Sequence, residues 1–162
     1  MNKKTETEKH DKLLSNSKAE ITISTGLGGF QLLSQITELS GKIVAAAVDF
    51  DQAPPYLGIE ALAQAGACHV RFLCDFSKQA VLLAIKSFTL PEEETLQGRF
   101  DLVGHLHSRS ASVFAYELSA VANGRKVLDG EFVFTAVDYN SDLREDVLRK
   151  HYKERLACLR KD

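Results

Sequence analysis

The sequence predicts an α+β fold in which antiparallel strands surround one buried helix, and three observations carry that expectation. The stretch Gly58 to Leu73 (GIEALAQAGACHVRFL) is dominated by alanine and leucine, both strong helix formers. It is small-sided and apolar nearly all round, which fits burial on several sides rather than along one stripe. Downstream of it, apolar and polar residues alternate in segments separated by turn signals. The strongest of these is Asn123-Gly124, because both residues tolerate positive φ at a hairpin turn. The length of 162 residues fits one domain with room for a real core. Two strands, a buried helix and then an antiparallel meander make an α+β order.

Taken in order, residues 1–20 are rich in Lys and Glu with few large apolar side chains and read as a mobile leader. Residues 21–139 form the main domain and residues 140–162 a C-terminal amphipathic helix. Gly26, Gly28 and Gly29 lie outside a strand–loop–helix context and do not suggest a nucleotide loop. Phe30 to Leu39 reads as a first strand, with helix as an alternative for Gln31 to Glu38. Lys42 to Phe50 is a second strand, apolar without interruption and so expected to be buried on both faces. Asp51 to Pro55 is a loop into the central helix, whose start is favoured by Pro54 and Pro55. Further strands follow at Gln79–Leu90, Leu96–His107, Ala111–Val121 and Lys126–Val137. Phe114, Tyr116 and Leu118 share one inward face, as do Leu128, Phe132 and Phe134. Asn140 or Ser141 is placed to cap the last helix, with Leu143, Val147, Leu148, Leu156 and Leu159 as its partial apolar stripe, packed on its own domain or a dimer mate.

Composition excludes several partners. A net charge of −2 leaves no basic footprint for nucleic acid. No apolar run approaches the roughly 20 residues that cross a bilayer, and the charged N-terminus lacks the apolar segment of a signal peptide, so no membrane association and a cytoplasmic location are expected. Cys68, Cys74 and Cys158 are odd in number and lack metal-ligand spacing, which fits reduced thiols and no metal.

Within the central helix, Ile59-Glu60-Ala61-Leu62-Ala63-Gln64-Ala65-Gly66 resembles the helix motif of hotdog-fold 3-hydroxyacyl-(acyl-carrier-protein) dehydratases. The resemblance implies an antiparallel sheet wrapped around a long central helix, with the C-terminal helix as an appendage. It also implies an acyl thioester of acyl-carrier protein or coenzyme A as ligand, no cofactor, and a homodimer or larger assembly paired edge to edge. In that family the motif glutamate, here Glu60, is the acid, and a histidine on the preceding loop is the base. This chain has no histidine between Val48 and Gly58, and the loop is shorter. The resemblance therefore leaves open a dehydratase-like enzyme of fatty-acid or polyketide-type metabolism, an acyl thioesterase needing only a carboxylate, and a non-catalytic acyl-binding subunit of a partner dehydratase.

The candidate site residues are Glu60 as acid or base, with Gly58, Gln64 and Tyr56 as substrate-binding positions. Glu60 and Gln64 lie four residues apart and so share a helix face. His69, at about 100° per residue, falls roughly opposite Glu60 and reads as a core histidine. His105 and His107 alternate with Leu102 and Leu106 and are expected to face water. His10 and His151 have no local reason to enter a site. Asp49 and Asp51 stand as substitute bases by their nearness in sequence.

Overall fold

The computed structural model describes residues 31–160, so the expectations for the leader, His10, the early glycines and Phe30 lie outside the described residues. Six strands form a single antiparallel sheet: β1 (Leu33–Leu39), β2 (Ile43–Ala53), β3 (Gln79–Thr89), β4 (Leu96–Arg109), β5 (Val113–Ala122) and β6 (Arg125–Val137). Their order across the sheet is β1-β2-β4-β5-β6-β3. Helix α1 (Pro55–Leu73) follows β2, and helix α2 (Glu145–Leu159) closes the chain.

Every strand touches α1, so the sheet wraps the helix as the sequence implies. The small side chains allow this approach. A Cβ on Gly58 would lie 2.3 Å from Leu128 Cδ1, and one on Gly66 would lie 2.6 Å from the Phe134 ring. Around the helix, Phe114, Tyr116, Leu118, Leu128, Phe132 and Phe134 have no exposed surface, the inward faces expected of β5 and β6. Asn123 and Gly124 both take positive φ, 53° and 73°, in the β5–β6 hairpin.

Several boundaries differ from the sequence reading. Leu33 and Ile36 are both buried although three residues apart, a spacing that invites helix. Register shifts between Leu33 and Gln35 and between Ile36 and Glu38 bring them to one face of a strand, and the helical alternative is overturned. β2 runs on to Ala53, so the expected loop shrinks to Pro54, which is the N-cap of α1 with Pro55 as its first residue. The last helix begins at Glu145 rather than near Asn140. Asn140 Oδ1 accepts hydrogen bonds from the backbone N–H groups of Asp142 (2.9 Å) and Leu143 (2.8 Å), which caps a turn before the helix. Leu148, Leu156 and Leu159 are buried, whereas Val147 is 43% exposed. The helix packs on its own domain against β1.

Candidate functional site

One face of α1 borders a cavity of about 360 Å³, flanked on the other side by α2. Glu60, Ala63, Gln64, Ala67, Cys68 and Arg71 line it from α1, and His151, Tyr152, Arg155, Leu156 and Leu159 from α2. Gln31, Leu33, Phe76, Leu82 and Phe134 complete the wall.

Glu60 and Gln64 are brought together here as their spacing requires. Gln64 Nε2 donates to Glu60 Oε1 at 3.0 Å, and Gln64 Oε1 accepts the backbone N–H of Leu32 at 3.0 Å. The amide thereby fixes the rotamer of the carboxylate and ties it to the chain entering β1. Gln31 contributes a side-chain oxygen that is buried with no donor among the described residues, while its Nε2 donates to the Leu33 carbonyl at 3.0 Å. The site thus offers a carboxylate, a free acceptor and apolar walls.

Gly58 and Tyr56 do not line this cavity. Gly58 is buried where its missing side chain makes room for Leu128 and Leu96, and Tyr56 is 66% exposed. Asp49 and Asp51 lie on β2 and point to solvent, Asp49 facing Arg99 at 3.8 Å. His105 and His107 are exposed, as expected from the alternation of β4. His69 is wholly buried, with both ring nitrogens engaged by Ser40 and Tyr116. His151 is a correction: the fold brings it to the cavity wall because α2 flanks the cavity opposite α1.

Arg71, Tyr152 and Arg155 escaped the sequence reading. Arg71 follows Glu60 at eleven residues, about three turns, so helical spacing alone places it on the same face. Its guanidinium lies over the Tyr152 ring at 3.9 Å, and Nε donates to Gln79 Oε1 at 2.7 Å. Burial pulls its pKa below the ordinary value. Burial also pushes the Cys68 thiol up to about 11 despite the neighbouring Arg71, which keeps it protonated and a poor nucleophile at neutral pH. Among the described residues no group of three or more His, Cys, Asp or Glu could hold a metal ion, and no helix is long and apolar enough to cross a membrane.

A curved antiparallel sheet around a long central helix is the hotdog fold, and the comparisons agree. No family model and no curated protein matches the sequence. Among solved structures, the chain is similar to one from the dehydratase heterocomplex ApeI:P of Xenorhabdus doucetiae, with a TM-score of 0.59, 17% identity, and 70% of this chain and 86% of that chain covered. It is similar to AziG of S. sahachiroi, with a TM-score of 0.56, 15% identity and coverage of 70% and 94%. A hypothetical thioesterase with coenzyme A from Streptococcus pneumoniae TIGR4 gives a TM-score of 0.56, 14% identity and coverage of 66% and 90%.

Proposed function

We propose that this protein binds acyl thioesters, carried by acyl-carrier protein or coenzyme A, and acts on them as a dehydratase-like enzyme of fatty-acid or polyketide-type metabolism. The observation that carries this reading is the Glu60 carboxylate, held by Gln64 on the wall of a largely apolar cavity beside the central helix. The helix motif and the likeness to a dehydratase heterocomplex chain support it. In dehydration Glu60 protonates the departing C3 hydroxyl, which leaves as water, while a base removes the C2 proton and the electron pair forms the double bond. A single residue joins β2 to α1, which leaves no loop for the base histidine; on this reading the base comes from a second subunit or a partner dehydratase.

The same connection favours a second reading, thioester hydrolysis. A carboxylate activates water for attack on the thioester carbonyl, the carbon–sulfur bond breaks and the thiol leaves protonated. Thioesterases among the structures of this fold support it, and it needs Glu60 alone. Tyr56, exposed in the first turn of α1, serves in either reading as a substrate contact outside the cavity, where the helix end carries no acidic residue to oppose its positive dipole, whereas Gly58, buried against Leu128 and Leu96, is a packing position.

The assembly proposed with this site is a homodimer paired through β3. That strand sits at the sheet edge and exposes Val81, Leu82, Leu83 and Ile85, a composition that favours strand addition by a second copy.

The test is an assay of short and medium 3-hydroxyacyl thioesters that follows enoyl formation and thiol release together, for wild type and Glu60→Gln. Enoyl product lost in the variant supports the dehydratase. Thiol release lost in its place moves the protein to the thioesterases. Product seen only when a partner dehydratase is added makes it a subunit, and no product or binding under any condition overturns the thioester reading.

A further inference from the structure

Resting on the thioester reading, we infer that the cavity has an anion-recognising end, formed by Arg71 and Arg155, and that its ligand is an acyl thioester whose acyl chain terminates in a carboxylate. Glu60 and Arg71 are separated by about 16 Å along α1. Ala63, Ala67 and Phe134 line the wall, and the cationic end lies beneath α2. The arrangement is a carboxylate, an apolar passage and the Arg71 guanidinium, with Arg155 on the α2 side of the same cavity.

The cationic end is built and uncompensated. Gln79 Oε1 takes the Arg71 Nε–H, and Gln79 Nε2 donates to the Tyr152 hydroxyl at 2.8 Å. The three side chains therefore hold the guanidinium in one place while adding no negative charge. Neither Arg71 nor Arg155 has a carboxylate partner among the described residues, whereas Arg99, Arg125, Arg144 and Arg149 each have one. Arg109 and Arg160 are unpaired as well but exposed, whereas Arg71 and Arg155 are half-buried on the cavity wall, where charge left without a counter-ion is costly. A planar fork of N–H donors matches a carboxylate in charge and geometry. The phosphate of a pantetheine arm shares that chemistry. The passage between Glu60 and Arg71 favours the acyl end, because its lining by Ala63, Ala67 and Phe134 suits an apolar chain better than the polar pantetheine arm.

The test compares adipoyl-coenzyme A with hexanoyl-coenzyme A, equal in carbon count and different in the terminal carboxylate. Binding is measured by calorimetry for the full chain, R71Q, R155Q and the double variant, with thermal melts as a check of folding. Wild type should bind the adipoyl thioester on the order of tenfold or more tightly than the hexanoyl one, as a charge-assisted hydrogen bond implies. The preference should fall in R155Q, which leaves the Arg71–Tyr152 stack and its Gln79 hydrogen bonds intact, and vanish in the double variant. Equal affinities in wild type, or a preference that survives the double variant, overturn the inference. Variants that weaken both coenzyme A thioesters alike, and spare the phosphate-free pantetheine thioesters, assign the arginines to the phosphate and overturn the carboxylate end. If no thioester binds, the thioester reading fails. Free adipate that binds wild type and not the double variant then preserves the anion site, and absence of adipate binding removes that as well.

Discussion

His69 shows how one buried polar residue is held in the core of this fold. Nε2–H donates to the Ser40 carbonyl at 2.7 Å, which leaves Nδ1 to accept the Tyr116 hydroxyl at 3.0 Å. Burial lowers its pKa from 6.5, with the Ser40 bond opposing, so the ring is neutral in the folded chain at pH 7. The unfolded chain binds this proton more readily. The stability contributed by His69 is therefore complete above about pH 6.5 and is lost as pH falls below it. Urea unfolding at pH 7.5 and 5.5 should show the loss, and His69→Leu should reduce that difference. The variant should also cost about 2–4 kcal/mol at pH 7.5, because Tyr116 and Ser40 keep buried polar atoms without a partner. That His69 belongs to the core was legible from its angle to Glu60. Its partners were not, since Ser40 and Tyr116 lie on other elements. The Glu60–Gln64 pair was legible because a spacing of four fixes a helix face. Arg71 shares that face, but what distinguishes it depends on Gln79 and Tyr152, which only the folded chain brings near.

The elements follow the same division between local pattern and tertiary arrangement. α1 was evident from its alanines, and Gly66 explains why a glycine is tolerated mid-helix: the Phe134 ring occupies the place of a side chain. Gly66→Ala should therefore lower stability despite alanine's higher helix propensity. The net loss should be about 1–3 kcal/mol as the ring is displaced, read as a fall in the thermal midpoint. A midpoint that rises would show that the ring moves aside freely. β1 was ambiguous because two bulges give its buried residues a helical spacing, and bulges depend on the neighbouring strand. The end of β2 was placed too early because Asp51 and Gln52 read as loop. In the fold they continue a strand whose irregularity between Phe50 and Ala53, with Gln52 at φ 48°, carries the chain into Pro54.

At the scale of the whole molecule, β3 decides the proposed assembly. Analytical ultracentrifugation at micromolar concentration should find a dimer, and Leu83→Lys, which places charge on a 56%-exposed edge position, should shift it toward monomer. A wild-type monomer would remove any site shared between subunits. The other sheet edge, β1, is packed by α2 and is less open to strand addition. The order of strands also imposes a timetable on synthesis. β3 is completed early, yet its neighbour in the sheet, β6, is the last strand made, with Gln79 pairing to Val137. At roughly 5–20 residues per second, the ribosome holds an apolar strand without its mate for some seconds. Chaperone dependence and inclusion-body formation should thus be governed by Val81 to Ile85, and a polar substitution there should raise the soluble yield even where it weakens the finished assembly.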